Sequence, residues 1–460
     1  MNFNTRRAGL LLHPTSLPSG TLADADRWLD FLQAAGFGVW QMLPLSPPLG
    51  GLSPYQCASA FAVNPALFPD LLQASPRADM RRFAGWRNKQ RHWLDDYARF
   101  MVIKQEQGGA AWTDWPQPLR DRDAQALAEF DASHADALKA MMAEQYRAAV
   151  FWQALRAAAA ARGIQLFGDM PIFAAHDSAD VWAQRDLFLL DAEGLPTVVA
   201  GVPPDYFSET GQRWGNPHYN WAAMQADGFA WWRARLATHF EWFDLLRIDH
   251  FRGLVAAWAI PASEPTAVHG HWVPTPGAAL LQAVADDLGE LPLVAEDLGV
   301  ITPDVIALRH QFGLPGMTVL QFAFDHHADN PHKPGNVAVD SVYYTGTHDN
   351  DTVLGWWRTL PEHARQQVVG QLGMSDAAAV SDEVVLDAMM ATVLQSRAAL
   401  AMLTMQDVLQ LGSEARMNIP GTENGNWTWR FEWNELPTDL APRLLEQLQK
   451  THRCETQPPP

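Results

Sequence analysis

The sequence predicts an α/β fold: a (β/α)8 TIM barrel with inserted, mainly helical subdomains around its C-terminal rim. Eight short, almost continuously apolar segments alternate with helical patterns along the 460 residues. Such segments are typical of parallel strands that are buried on both faces, and eight strand–helix alternations are the pattern of this barrel. A bare barrel needs ~250 residues. The remaining residues, roughly 200, must therefore be insertions.

The predicted elements follow from these patterns. The predicted strands cover 9–13, 39–45, 164–168, 243–248, 291–295, 317–322, 341–345 and 402–409. The predicted helices between them cover 25–35, 146–162, 229–240, 278–288, 302–312 and 382–400. The strands are short and contain β-branched and aromatic residues, whereas the helices show apolar residues at helical spacing.

The insertions define the predicted organisation of the chain. Residues 1–64 hold the first two strands, 65–145 a helical insertion subdomain, 146–450 the rest of the barrel and 451–460 a flexible tail. Helices are predicted in the insertion at 70–83, 86–104 and 123–143. The connection 194–221 is rich in Gly and Pro, and we interpret 201–221 as a lid over the active site; an ordered rim loop with packed aromatics is the alternative.

Composition restricts the possible partners and compartment. With 33 Lys+Arg against 52 Asp+Glu, the net charge of −19 argues against nucleic acid, anionic lipid and polyanionic substrates, but leaves neutral ligands open. The 20 Trp suit carbohydrate, although most will fill the core. Two cysteines cannot form a disulfide framework. No signal-peptide pattern or membrane-spanning stretch is recognised, so we expect a cytoplasmic protein.

Common cofactor and metal motifs are missing from the sequence. There is no P-loop, no His-Glu-x-x-His and no Gly-x-Ser-x-Gly. His326, His327 and His332 lie in a polar Asn/Pro/Gly segment, which we interpret as a solvated loop and not a metal site. We therefore predict neither a metal nor an organic cofactor.

Three acidic residues follow predicted strands. Asp249 ends the fourth strand, Glu296 the fifth and Asp349 the seventh. Because the carboxyl ends of barrel strands carry the chemistry, these side chains are expected to meet in one pocket. Period-2 alternation also places Arg247 on the same face as Asp249, where the guanidinium would hold that carboxylate ionised.

Converging carboxylates are electrostatically costly and point to chemistry. Two ionised Asp near Glu296 would raise the pKa of this Glu and keep it protonated as an acid. Cleavage of a glycosidic bond needs a proton donor and a carboxylate at the anomeric carbon. The alternative is that these acids cap helices or pair with Arg at the rim.

The segments around these acids resemble the signature segments of the 4-α-glucanotransferase (amylomaltase, disproportionating enzyme) family, which is related to the α-amylases. The signature segments are Arg247-Ile-Asp249-His250-Phe251-Arg252-Gly253, Ala295-Glu296-Asp297-Leu298-Gly299 and Gly346-Thr347-His348-Asp349-Asn350-Asp351-Thr352. Further similar segments lie at 12–18, 53–56, 168–172, 176–182, 211–217 and 417–427. The similarity extends from about residue 8 to about residue 430.

The resemblance implies a role for each acid. Asp249 would be the nucleophile that forms a covalent glycosyl-enzyme, Glu296 the general acid and then base, and Asp349 the residue that binds sugar hydroxyls. The other residues implied to bind substrate are Arg247, His348, Tyr55, Asp169, Trp214, Asn350 and, on the acceptor side, His250. The implied partners are maltodextrins or other α-1,4-glucans and glucose.

Two other functions remain open from the sequence. The same residues would hydrolyse α-1,4-glucans if water took the place of the acceptor sugar. A barrel that binds glucan without cutting it would keep the aromatic residues and lose a catalytic acid. The sequence does not indicate the oligomeric state.

Overall fold

Eight parallel strands form the central sheet of the computed structural model, which describes residues 5–69, 80–204, 208–375, 377, 380–422 and 424–454. The strands of the chain are β1 (Arg7–Leu11), β2 (Val39–Gln41), β3 (Gln165–Met170), β4 (Val198–Val202), β5 (Gln212–Pro217), β6 (Leu245–Ile248), β7 (Ala256–Pro261), β8 (His271–Pro274), β9 (Leu293–Ala295), β10 (Gly316–Val319), β11 (Ser341–Tyr344) and β12 (Leu400–Thr404). The central sheet has the order β10-β11-β12-β1-β2-β3-β6-β9.

The two outer strands of this order close the sheet into a barrel. The backbone N–H of Ala295, in β9, donates to the carbonyl of Pro315, just before β10, at 2.9 Å. All eight predicted strands correspond to strands of this sheet. The predicted (β/α)8 barrel is therefore confirmed.

The helices surround the barrel and fill its insertions. They are α1 (Ala25–Ala35), α2 (Met80–Lys89), α3 (Arg91–Glu106), α4 (Gln117–Arg120), α5 (Ala124–Ser133), α6 (Ala135–Ala161), α7 (Ala179–Ala183), α8 (Trp221–Ala226), α9 (Ala230–Trp242), α10 (Gly277–Leu288), α11 (Pro303–Gln311), α12 (Val353–Thr359), α13 (Glu362–Gln371), α14 (Asp382–Gln395), α15 (Met405–Val408) and α16 (Leu440–Lys450). Among the described residues, no helix combines the length and the apolar character that crossing a bilayer requires.

Two neighbouring element predictions are partly wrong. The helix predicted to reach residue 400 ends at Gln395, and the strand predicted at 402–409 becomes helix α15 after Thr404. The Thr404 side chain accepts a hydrogen bond from the Asp407 N–H and so caps α15. Side-chain capping of this kind favours a helix start within an apolar run that otherwise resembles a strand.

The last helix of the insertion is continuous with the helix predicted to follow it in the barrel. Helix α6 covers 27 residues, Ala135–Ala161, and thus joins the predicted insertion to the predicted barrel helix. Part of the helix predicted at 70–83 lies outside the described residues. The division into domains stays a prediction.

The predicted flexible tail, 451–460, contains an anchored residue near its start. Arg453 is 2% exposed, and its Nη1 and Nη2 donate to the carbonyls of Arg7 and Ser396, both at 2.8 Å. Residues 455–460 lie outside the described residues.

A second, antiparallel sheet of order β5-β4-β7-β8 was not predicted. Much of the connection 194–221, predicted as a loop, forms the paired strands β4 and β5. Strand β4 also pairs with β7, so the hairpin is held against a segment that follows the fourth barrel strand. Residues 205–207 of the proposed lid lie outside the described residues, and its closure stays a prediction.

The barrel interior changes from apolar to polar along the strands. Leu245 belongs to the apolar cluster inside the barrel, whereas Leu246 and Ile248 pack between the strands and the surrounding helices. Side chains alternate along a strand, so Arg247 also points inward. In the middle of β1, a Cβ on Gly9 would lie 2.6 Å from the Met402 sulfur, so only glycine fits there.

Candidate active site

Arg247 is the central charge of the site. Its Nη1 donates to both carboxylate oxygens of Asp169, at 2.8 and 2.7 Å, and its Nη2 donates to Oδ1 of Asp249 at 2.7 Å. Asp169 lies beside Arg247 because strands β3 and β6 pair in that register. The predicted common face of Arg247 and Asp249 is confirmed by this contact. Burial disfavours the guanidinium, but the two carboxylates outweigh burial and hold the pKa of Arg247 well above its usual value.

Tyr55 connects this ion-pair group to His348. The Tyr55 hydroxyl donates to Oδ2 of Asp169 at 2.7 Å and lies 2.9 Å from Nε2 of His348. The two rings are stacked, with centroids 5.2 Å apart. His348 Nε2 is also 3.3 Å from Oδ2 of Asp349. Although burial lowers the pKa of His348, the adjacent Asp349 carboxylate reverses the shift and raises it.

Asp349 is the more exposed partner of His348, with 49% of its side chain accessible to solvent. Asn418 Nδ2 donates to Oδ1 of Asp349 at 2.6 Å, and Arg416 Nη2 donates to its backbone carbonyl at 2.6 Å. Desolvation favours the neutral acid, but the charge and hydrogen bond of His348, together with Asn418, lower the pKa of Asp349 below its usual value. Asp349 is therefore a carboxylate at neutral pH.

Three residues of this region were not predicted as site residues. Asn418 and Arg416 contact Asp349, and the ring of Trp427 lies 6.2 Å from Tyr55 and 5.9 Å from His348, measured between centroids. Asn418 and Trp427 belong to the segment 417–427 that resembles the family. This segment was the sequence signal that could have identified Asn418 and Trp427, but its residues were given no role in the sequence analysis.

Glu296 is held differently from the aspartates, because its carboxylate contacts backbone groups. Its Oε2 accepts from the His250 N–H at 2.7 Å and its Oε1 from the Leu298 N–H at 2.9 Å. The pKa of Glu296 is raised from 4.5 to about 7, chiefly by burial, with the negative charge of Asp249 as a further cause. The sequence argument predicted this direction, but it wrongly named the neighbouring aspartates as the main cause.

His250, which the resemblance implies on the acceptor side, contacts Glu296 through its backbone, and the ring of Trp214 contacts the ring of His250. His250 has a left-handed backbone conformation (φ 51°), which turns the chain after β6 and aims the His250 N–H at Glu296. The Trp214 ring meets the His250 ring edge-on, with centroids 4.9 Å apart. Burial lowers the pKa of His250 to about 4, so its ring is neutral. Strand β5 of the unpredicted sheet supplies Trp214.

Asn350 shapes the loop that carries His348 and Asp349. Its Oδ1 accepts hydrogen bonds from the backbone N–H and from the hydroxyl of Thr347, both at 2.9 Å. This side chain stabilises the turn after β11. Its contribution to substrate binding stays a prediction.

Eight of the ten predicted residues thus form one connected network, which runs from Asp349 to Glu296. Contacts of 3.3 Å or less lead from Asp349 through His348, Tyr55, Asp169 and Arg247 to Asp249. The next residue along the chain, His250, donates its backbone N–H to Glu296. The structure therefore places a carboxyl with a pKa of about 7, that of Glu296, in one network with the Arg247–Asp249 ion pair and with Asp349, whose pKa is lowered. This combination can protonate a leaving oxygen and stabilise positive charge on a sugar ring.

Comparison with known proteins gives a consistent answer. A family model described as 4-alpha-glucanotransferase matches residues 11–74 and 67–436. The 4-alpha-glucanotransferase of Thermus thermophilus is 47% identical, over 97% of this chain and 99% of that protein. The chloroplastic/amyloplastic enzyme of Solanum tuberosum is 40% identical, over 93% of this chain and 82% of that protein.

Solved structures agree with the sequence relatives. The amylomaltase from Streptococcus agalactiae, in complex with acarbose, aligns with a TM-score of 0.92 and 31% identity, covering 98% of this chain and 100% of that one. The amylomaltase from Corynebacterium glutamicum shares the fold, with a TM-score of 0.78 at 16% identity over 98% of this chain and 76% of that one. This chain therefore belongs to the 4-alpha-glucanotransferase family, whose enzymes transfer segments of α-1,4-glucan.

Proposed function

We propose that the enzyme transfers glucan segments by a retaining double displacement. Asp249 attacks the anomeric carbon of an α-1,4-linked donor while Glu296 protonates the departing 4-oxygen. The glycosyl segment stays bound to Asp249 through a covalent ester. Glu296 then takes the proton from the 4-hydroxyl of an acceptor, which displaces Asp249 and forms a new α-1,4 bond. Two inversions at the anomeric carbon retain its configuration.

The observation that carries this proposal is the raised pKa of Glu296, about 7, beside the Arg247–Asp249 ion pair. A group with a pKa near the working pH can give a proton in one step and take it back in the next. The guanidinium of Arg247 also fixes the position of the Asp249 carboxyl group, since its Nη2 donates to Oδ1 at 2.7 Å.

The other residues suit binding of the sugar that reacts. Asp349 presents an ionised and half-exposed carboxylate, which can accept hydrogen bonds from sugar hydroxyls. Tyr55 and Trp427 provide ring faces beside it for the C–H groups of a pyranose. His250 donates its backbone N–H to Glu296, and Trp214 packs against the His250 ring, so we place the leaving group and the acceptor near these two side chains.

The proposed substrates are maltodextrins as donors, with glucose or another glucan chain as acceptors. The indole of Trp214, which is partly buried, offers an apolar surface for an acceptor sugar. Exclusion of water by such a sugar would favour transfer over hydrolysis. We also propose a cytoplasmic location, which the two free cysteine thiols support.

Incubation of the purified protein with maltotriose tests the reaction. Glucose together with maltodextrins longer than the substrate is the expected result. Glucose and maltose alone would instead identify a hydrolase, and an unchanged substrate would contradict catalysis.

Two variants test the nucleophile. Asp249→Ala and Asp249→Asn should abolish transfer while unfolding remains cooperative in urea. Asp329→Asn removes an exposed loop carboxylate and serves as the matched control, with activity unchanged. Normal turnover by either Asp249 variant would contradict the assignment.

A further inference from the structure

The contact between strands β9 and β10 depends partly on the side chain of Asp297. Within the described residues, these strands stand at opposite ends of the sheet order. Their backbones are linked by the Ala295–Pro315 hydrogen bond, and the next link is Oδ1 of Asp297, which accepts from the Met317 N–H at 2.7 Å. A carboxylate thus takes the position that a backbone carbonyl has in a regular parallel ladder. We call this junction the barrel seam.

The seam is built around the Asp297 carboxylate. The guanidinium of Arg309, in helix α11, lies 3.2 Å from Oδ2 of Asp297, and both side chains are largely buried, at 11% and 13% exposure. A Cβ on Gly316 would lie 2.5 Å from Oδ2 and 2.8 Å from Oδ1 of Asp297. Glycine at 316 therefore leaves the space that the carboxylate occupies.

Glu296 depends on the backbone at this junction. On the β6 side, its N–H donates to Ile248 and its carbonyl accepts from Phe251, at 3.1 and 3.0 Å. On the β10 side, the adjacent anchor is the side chain of Asp297. The Glu296 carboxylate is oriented by backbone N–H groups, including that of Leu298, so its direction follows the position of the main chain.

We propose that Asp297 is a positioning residue for the general acid. It fixes the backbone of residues 296–298 to β10 and thereby aims the Glu296 carboxyl at the glycosidic oxygen, without touching the substrate. The inference rests on the proposed role of Glu296. A displacement of about 1 Å at a catalytic group can cost on the order of 10²-fold in rate.

Three variants separate the contacts of the seam. Asp297→Ala should lower kcat for maltotriose roughly 10²-fold, with little change in KM. Asp297→Asn should restore much of the rate, because an amide oxygen can still accept from the Met317 N–H. Gly316→Ala should lower kcat in the same direction, because its Cβ displaces the carboxylate of an intact Asp297.

A substrate whose leaving group needs no proton distinguishes misplacement of the general acid from a general disturbance of the active-site structure. With α-maltosyl fluoride, Asp249 attacks the anomeric carbon and the C–F bond breaks, so fluoride leaves with the electron pair and needs no strong proton donor. The initial burst of fluoride should therefore be far less reduced in Asp297→Ala than the turnover of maltotriose. A purely structural defect would slow both substrates to the same extent.

Asp244 provides a matched control at the opposite end of β6. Its Oδ2 accepts from the Leu166 N–H at 2.9 Å and its Oδ1 from Nη2 of Arg156 at 2.7 Å, so it makes the same kind of bridge. Asp244→Ala should reduce stability but leave the ratio of the two substrate rates unchanged.

The outcomes separate the inference from the proposed function. Equal losses on both substrates, or normal kcat in Asp297→Ala and Gly316→Ala, would overturn the positioning role. Glu296→Gln should show the same preference for the fluoride donor in a stronger form. Normal maltotriose turnover in Glu296→Gln would overturn the proposed function itself, whereas loss in Glu296→Gln with none in Asp297→Ala would overturn only the positioning role.

Discussion

Replacement of Glu296 by Gln should stabilise the folded protein at alkaline pH while it removes activity. The pKa of this carboxyl is about 7 in the folded state against 4.5 in an unstructured chain, chiefly because of burial. Between these two pH values the folded state binds more protons than the unfolded state. Stability therefore falls as the pH rises through this window.

The magnitude follows from the displacement of the pKa. At ~1.4 kcal/mol for each pKa unit, the rise from 4.5 to about 7 corresponds to about 3 kcal/mol. Glutamine cannot ionise, so the variant avoids this cost. Below pH 4.5 the carboxyl is neutral in both states, and the two proteins should have similar stability. Above pH 7 the variant should be more stable by up to about 3 kcal/mol.

Urea unfolding from pH 5 to pH 8.5 measures this difference. The stability gap between Glu296→Gln and the parent should grow with pH and level off above about pH 7. For 460 residues, an unfolding entropy of about 1 kcal/mol/K makes the full gap equal to a melting-temperature difference of about 3 °C. Glu241→Gln, which removes an exposed surface charge, is the control for charge alone. A gap that stays constant, or narrows as the pH rises, would refute the reasoning.

Three further substitutions test the packing around the site. Tyr55→Phe removes the hydroxyl that donates to the fully buried carboxylate of Asp169 and should cost roughly 1–3 kcal/mol in urea unfolding; an unchanged midpoint would contradict this hydrogen bond. Arg247→Ala leaves the buried Asp169 carboxylate without its cation, so we expect urea unfolding to show a loss of about 3–5 kcal/mol in stability and the maltotriose assay to show no transfer. A variant that is both stable and active would contradict this role of Arg247. Gly9→Ala places a methyl group 2.6 Å from the Met402 sulfur and should cost about 1–3 kcal/mol at unchanged kcat, measured by thermal unfolding and maltotriose turnover; a normal melting temperature would show that the barrel interior can adjust.

The barrel could be predicted because its signals are local. Each barrel strand is a short apolar run, and helix α1 was predicted with both ends correct, since Gly36 adopts the left-handed conformation (φ 82°) that ends it. The antiparallel sheet carries no comparable signal. Strand β4 contains a glycine, and β7, its partner, lies more than 50 residues later in the sequence. Such pairing depends on tertiary contacts that periodicity does not record.

The candidate site was predictable to the extent that strands position its residues. Asp249 and Glu296 follow barrel strands directly, so their convergence follows from the topology. Asn418 and Trp427 lie in a long segment after β12 and reach the site through tertiary packing. The role of Asp297 was equally hidden, because a carboxylate at a strand end also suits helix capping or a surface ion pair.

The four acids of the site differ in function because they differ in the groups that neutralise them. Arg247 spreads one guanidinium over Asp169 and Asp249, and a neighbouring imidazole and amide hold Asp349. For Asp349 these donors outweigh burial and lower its pKa, whereas burial raises the pKa of Asp169 despite the charge of Arg247. Glu296 accepts hydrogen bonds from two backbone N–H groups, and burial outweighs both these bonds and the charge of Arg247, so its pKa rises. The proton therefore resides on Glu296 near neutral pH because its burial is opposed only by two backbone amides and by the charge of Arg247, which pairs directly with Asp169 and Asp249, whereas Asp349 has an imidazole and an amide in direct contact.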